Sequence, residues 1–382
     1  MTPEARKSIH SLSFEEVVPF WDTAEKKGGK KQLLEVTREL CQNDLFYLLV
    51  RVCQRKDMLH PWIYARVREV EEDPDGFLDL WAREHYKSTI ITFGLTIQNV
   101  LNDPDTTIGI FSHTRPIAKA FLRQIMRELE NNQILIGAFP DVLWGEKLKD
   151  APKWSEDEGI ILRRKTNPNE ATVEAWGVVD GQPTSKHFRV LLYDDVVVRD
   201  SVTNEEMMAK TMQQLEMSYN LGSVGGTRRF TGTRWHWSDA YRTIMDRGTA
   251  KPRLYPGKEG GEETGRSVYW PEEIHISKRR DMGPYSYASQ ILLNPRADAL
   301  QGFERSWLRY HKQVNPSKWM RMSRYILVDP ASSKKKSSDY TTMGVVSLGT
   351  DGNYYLVDGI RDRLNLTERA ARLFELHRKW KI

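Results

Sequence analysis

The sequence predicts an α/β fold built on a parallel-rich central sheet with a helical region at its amino end, on three observations. From Phe77 onward, FLDLW, STIITFGLTIQNVL, TTIGIFSH and PIAKAFLRQIMRELENN read strand, helix, strand, helix, the order of βαβ units whose strands lie parallel. HFRVLLYDDVVV has the length and β-branched content of a strand buried on both faces. Before them, LLEVTREL and DLFYLLVRVCQ carry apolar residues at a mostly helical period.

In chain order this gives a helical region over 1–60 and an α/β core over 61–250, in which RRFTGTRW adds a strand running into a turn. Over 251–321 the pattern gives way to Gly, Pro, aromatic and charged residues (YPGKEGGEETG, RRDMGPYSYASQILLNPRAD), the signature of a linker subdomain. A second domain opens over 322–382, with three apolar strands in RYILVDPASSKKKSSDYTTMGVVSLGTDGNYYLVDGI and then a helix, TERAARLFELHRKW.

The 382 residues exclude a peptide-sized or disulfide-stapled fold. With 57 Lys and Arg against 52 Asp and Glu the net charge is +5, and 29% of residues are charged, a soluble globular composition that permits a polyanionic partner without demanding one. Cys41 and Cys53 are the only cysteines, which fits a reducing compartment. No apolar run nears the ~18 residues of a membrane span, and no signal-peptide core follows the first charges. The expected location is the cytoplasm.

Three short segments carry the chemistry. AREHYKST, Ala82 to Thr89, lies between a strand and a helix. A phosphate-binding loop needs backbone N–H groups around the phosphates, a Lys reaching the β and γ phosphates and a hydroxyl for Mg²⁺. Lys87 and Ser88 supply the last two, but the consensus glycines fall on Trp81 and Tyr86, and a bulky side chain disfavours positive φ. VLLYDD, Val190 to Asp195, ends a buried strand in two carboxylates, one suited to orienting a metal and the next to positioning and deprotonating water. FTGTRW brings Thr231 and Thr233 around Gly232 at a strand end, where hydroxyls can sense a phosphate or the attacking water. Alone, each also reads as an ordinary polar turn.

In this order, with FSHTRPIAKAFLRQIMREL, FPDVLW, KWSEDEGIILRRK and SYASQILLNP between or after them, the segments resemble the large terminase subunit of tailed bacteriophages, the DNA-packaging motor. The resemblance implies a P-loop (ASCE-type) ATPase core. Arg83, Lys87, Ser88 and Thr89 would bind ATP phosphates and Mg²⁺, Asp194 would hold Mg²⁺, and Asp195, with Arg83, would act in catalysis. Thr231, Gly232 and Thr233 would couple hydrolysis to movement. Tyr86 departs from the family's usual Gly, and Asp195 from its commoner Glu. An arginine must also neutralise the transferring phosphoryl group; Arg83 in cis is one candidate, and Arg163, Arg164, Arg228, Arg229 and Arg234 are others for a neighbouring subunit. The end of the chain resembles the start of the family's RNase H-like nuclease domain, with Asp329 as its first metal-binding acid (Mg²⁺ or Mn²⁺), Asp339 at best peripheral, Asp358 a turn residue, and the later acids of a two-metal site not within 382 residues.

The implied partners are double-stranded DNA, gripped largely through its phosphates, the portal protein, the terminase small subunit, and further copies in a ring assembled at the procapsid portal. Adenine recognition is expected around Phe46 to Trp62. The twelve tryptophans are scattered as core and interface residues are, His85 and His236 lack zinc-site spacing, and Lys334 to Lys336 read as a solvated hairpin tip. Two other readings stay open: another P-loop translocase or helicase, and a non-catalytic portal or small-subunit docking module.

Overall fold

The alternation of apolar runs and helices builds, in the computed structural model, an eight-stranded sheet. The described residues are 9–26, 29–295, 308–311, 322–331 and 340–382; they divide into two units, Met1–Gly302 and Phe303–Ile382. In the first unit, β1 (Phe77–Trp81), β2 (Ile108–Ser112), β5 (Val173–Gly177), β6 (Phe188–Asp194), β7 (Gly222–Gly232) and β8 (Lys251–Tyr255) all pair in parallel. The short β3 (Trp154–Ser155) and β4 (Gly159–Ile160) extend the sheet antiparallel. The order across the sheet is β3-β4-β5-β2-β6-β7-β1-β8. One strand, β7, thus separates the strand before the Lys-Ser loop from the strand that ends in paired acids, the ASCE-type order.

Successive residues of a strand point to opposite faces, and β6 shows both faces covered. Val190 and Leu192 enter one apolar cluster with Ile110 and Ile125; Leu191 and Tyr193 enter another with Phe230, Leu215 and Ile244. A sheet buried on both sides yields continuous apolar runs rather than alternation, which is why VLLY was legible as a strand.

The amino-terminal helices α1 (Phe14–Glu25), α2 (Lys30–Asn43) and α3 (Pro61–Glu72) cover the first face and share its core, through Val17, Trp21, Leu40, Ile63 and Val67. Helix therefore runs on to Glu72. A buried polar knot fastens these helices to the helix that follows the Lys-Ser loop. Arg68 reaches Asp44 at 2.9 Å and Glu71 at 3.0 Å, and Glu71 accepts from the Leu45 N–H and the Gln98 side chain, each at 2.7 Å. Gln98 sits on α4 (Leu95–Asn102), the continuation of the helix that leaves the Lys-Ser loop. Two further helices, α5 (Arg115–Asn131) and α6 (Gln133–Ala138), add to this first face, while the second is covered by α7 (Glu205–Ser218) and α8 (Ala240–Asp246).

Two features differ from the sequence reading. TVEAWG, carrying no strand expectation, forms β5, because Val173 and Ala175 are buried beside Ile108 and Ile110 of β2. Lys251–Tyr255, placed at the head of the linker, is the edge strand β8, paired residue for residue with β1. Its alternating charges obscured it: Arg253 is buried only because Asp79 meets it at 2.7 Å. Further along that segment lie α9 (Glu272–Met282) and α10 (Pro284–Gln290).

In the second unit β9 (Ser323–Asp329), β10 (Thr341–Leu348) and β11 (Tyr354–Asp362) make an antiparallel sheet ordered β11-β10-β9. The helix α11 (Leu366–Trp380) follows, capped by Asn365, which accepts from the Glu368 N–H. Met343, Val345, Leu364 and Leu376 form its small core. The meander running into a helix is as the sequence predicts.

Candidate active site

The parallel sheet aligns the carboxyl ends of β1, β6 and β7, where open α/β sheets bind ligands. β1 ends at Trp81, the chain turns through Ala82 to Tyr86, and helix resumes at Lys87. Glu84 and Tyr86 hold φ of +63° and +64° while their neighbours do not, so residues of positive and negative φ alternate. The N–H groups of Ala82, Arg83 and His85 donate to the Tyr255, Gln290 and Ala82 carbonyls, while those of the two left-handed residues, Glu84 and Tyr86, show no acceptor among the described residues and remain for an anion. Left-handed backbone costs a residue with a Cβ roughly 1–2 kcal/mol; Tyr86 adopts it all the same, the conformation a consensus glycine would take.

The loop's hydroxyl and the buried strand's carboxylate meet directly. Ser88 Oγ donates to Asp194 Oδ1 at 3.1 Å, and Thr92 Oγ1 donates to Asp194 Oδ2. Asp194 is fully buried. Burial, then the neighbouring Asp195 charge, pushes its carboxyl up to about 7, against the pull of Lys87 and the two hydroxyls. A buried acid whose charged form is disfavoured is the electrostatic setting a cation relieves. Lys87, buried, lies 3.5 Å from Asp195 Oδ1. Asp195 leaves the strand at φ +48°, its side chain 36% exposed where Asp194 is closed off. One acid is therefore shaped to hold, the other to face an incoming group.

β7 joins the two halves. Thr231 pairs with Asp194 on one side and Asp79 on the other, and its carbonyl accepts the Asp195 N–H at 3.1 Å. The Thr233 hydroxyl reaches the Trp81 carbonyl at 3.4 Å. The Thr231 hydroxyl is buried with no partner among the described residues. At Gly232 an added Cβ would lie 2.0 Å from the Tyr241 hydroxyl, so only glycine fits.

Arg83 is exposed, yet tethered to Gln290: its N–H donates to the Gln290 carbonyl and its Nη1 to Oε1, both at 3.0 Å. Thr89 opens the π-helical turn Thr89–Gly94 and shows no side-chain bond to the cluster among the described residues. Of the other arginines, Arg229 is buried against Asp75 at 2.6 Å and Arg234 against Asp239 at 3.1 Å, so neither is free to move. Arg228 lies over Tyr219 and Arg163 over Trp144. Arg164 donates to the Glu170 and Pro168 carbonyls. Phe46 is fully buried among Trp21 and Tyr64 and offers no face to a base, whereas Trp62 lies against the loop, 5.5 Å from His85.

Thr92, Tyr241 and Gln290 were absent from the sequence reading. Thr92 had a signal, since it lies four residues after Ser88 on the same helical face; Tyr241 and Gln290 had none, because their roles arise from contacts across the fold.

In the second unit Asp329 is exposed at the end of β9, opposite Thr342. Asp358 is held by Lys379 and the Trp380 indole, each at 2.8 Å, a structural engagement. Asp339 and Lys334 to Lys336 lie outside the described residues. Among the described residues no cluster of three acidic, His or Cys side chains is poised for a metal, and no helix is long and apolar enough to cross a membrane.

No family model matches the sequence, and no curated protein matches it. Solved structures do. The large terminase from a thermophilic bacteriophage is similar over 90% of this chain and 73% of that one, at 12% identity and a TM-score of 0.37. The same terminase in complex with ATP-gamma-S matches over 89% and 72%, at 13% identity and 0.38. The HK97 bacteriophage large terminase matches over 82% and 67%, at 10% identity and 0.40. Both measures are low, and what this chain does rests on its own residues.

Proposed function

We propose that the chain is an ATP-hydrolysing motor subunit that drives double-stranded viral DNA into a procapsid. The observation that carries the reading is the junction of Ser88 and Thr92 with buried Asp194, and of Lys87 with Asp195, across the carboxyl edge of a parallel sheet. Two hydroxyls and two carboxylates beside the loop's Glu84 and Tyr86 N–H groups, with a lysine between, form a site for a nucleoside triphosphate.

The Glu84 and Tyr86 N–H groups of the loop bind the phosphates, and Lys87 reaches the β and γ phosphates. Ser88 and Asp194 fit Mg²⁺, which commonly takes one or two protein oxygens and completes its shell with water and phosphate; when bound it neutralises phosphate charge. Asp195, open to solvent and 3.5 Å from Lys87, orients the attacking water and takes its proton. Arg83, at the loop's outer rim, neutralises charge on the transferring group. Thr231, Gly232 and Thr233 bridge the loop strand and the acid strand and carry the change of state between them. The portal, the small subunit and further copies in a ring are the partners this reading requires, at the portal vertex in host cytoplasm. Asp329 begins a nuclease metal site of the RNase H-like kind.

The test is ATP hydrolysis by the chain with Mg²⁺, with and without duplex DNA, beside Lys87→Ala and Asp195→Asn. The expected result is hydrolysis raised by duplex and lowered by about 100-fold or more in both variants. Stimulation by single strands alone would point to a helicase, and no nucleotide binding at millimolar ATP would end the motor reading.

A further inference from the structure

A phosphate loop ordinarily owes its left-handed residues to glycine. The stretch Ala82 to Tyr86 contains none, yet holds φ of +63° at Glu84 and +64° at Tyr86. Its side chains show what replaces glycine. Both oxygens of Glu84 accept from Lys278, at 2.6 and 2.7 Å. His85 is fully buried against Trp270, ring centres 4.6 Å apart, with its Nδ1 on the Arg83 carbonyl at 2.9 Å. The Tyr86 hydroxyl donates to Asp57 Oδ2 at 2.8 Å, and Asp57 is itself fixed by Arg55 at 2.9 Å. Each strained residue is thus tied by its own side chain to a separate part of the fold, one anchor preceding the loop in sequence and the other lying far beyond it.

We infer that Asp57 and Lys278 are positioning residues for nucleotide binding, holding a glycine-free phosphate loop in its left-handed conformation through Tyr86 and Glu84. Neither touches the nucleotide. Removing an anchor leaves a residue with a Cβ free to relax to negative φ, which turns an N–H group away from the phosphates. Nucleotide affinity falls while the acids and Lys87 stay in place. Glycine at the released position removes the penalty for positive φ and so removes the need for the anchor.

The inference rests on the site being a nucleotide site, and one experiment separates the two. Binding of a fluorescent ATP analogue and steady-state hydrolysis are measured on the full chain, on Asp57→Ala and Lys278→Ala, and on the pairs Asp57→Ala with Tyr86→Gly and Lys278→Ala with Glu84→Gly. Asp57 is exposed and Lys278 half-buried, so the chain should fold in every case, checked by thermal melting. The expected result is a rise of about tenfold in Kd and KM for each single variant, kcat within about twofold, and return towards the parent affinity in each pair. A purely structural role would lower the melting temperature or kcat and show no rescue by glycine. Unchanged Kd in both single variants, or failure of both glycines to restore it, overturns the inference while leaving the nucleotide site standing. If the parent chain itself binds no nucleotide, both fall.

Discussion

Two segments border the same site and differ in what they ask of glycine. The loop after β1 reaches left-handed backbone at Glu84 and Tyr86 without glycine, while the end of β7 keeps glycine at Gly232, where φ is not positive. The difference is space. Around Gly232 the nearest atom to an added Cβ is the Tyr241 hydroxyl at 2.0 Å, with the ring carbon behind it at 2.4 Å. Around the phosphate loop there is room for whole side chains, and those side chains hold bonds that offset the strain. Glycine is therefore needed where atoms crowd, and is dispensable where positive φ can be anchored.

The largest test of that contrast is Gly232→Ala. The new methyl must displace fully buried Tyr241, so unfolding free energy should fall by about 3 kcal/mol, with ATP hydrolysis lost as Thr231 and Thr233 move. Urea denaturation reads the first and turnover the second; a cost below about 0.5 kcal/mol would show that crowding is not what glycine answers here.

An acid titration of stability sharpens the other side. Burial lowers the His85 imidazole from 6.5 to about 4, with His275 and Lys87 adding to the shift and the Arg83 carbonyl and Glu84 opposing it. The unfolded chain takes up this proton more readily than the folded one, so stability is full above pH 6.5 and is lost as pH falls towards 4. The loss from this group approaches about 3 kcal/mol. Chemical denaturation across that range should show a slope that His85→Phe diminishes; an unaltered slope would mean the ring's burial does not govern the loop's acid tolerance.

The smallest effect belongs to Glu84→Gly. Relief of strain is offset by the greater freedom of the unfolded chain and by loss of a surface ion pair with Lys278, so stability should change by less than about 1 kcal/mol. A loss as large as that from Gly232→Ala would erase the distinction between the two segments.

Much of this was readable in advance. The βαβ order, the buried VLLY run and the Asp194–Asp195 pair at its end follow from periodicity and from where polar residues interrupt it. So does the meander leading to α11. β8 was not readable, because Arg253 within it is buried only through its partner Asp79, 174 positions away. Nor was the tolerance of Tyr86, whose hydroxyl bonds to Asp57, 29 positions earlier.

Local pattern was enough to say which segments become strands and helices, and that Lys87, Ser88, Asp194 and Asp195 stand at strand and helix ends, because periodicity and its interruptions need no distant partner. It could not say that β7 would lie between β1 and β6, that Thr92 would complete the Asp194 cluster, or that anchors would stand in for glycine. Those outcomes appear only when the chain is folded, since they depend on pairings over tens to hundreds of residues, where long-range burial and hydrogen bonding outweigh what any neighbouring residues prefer.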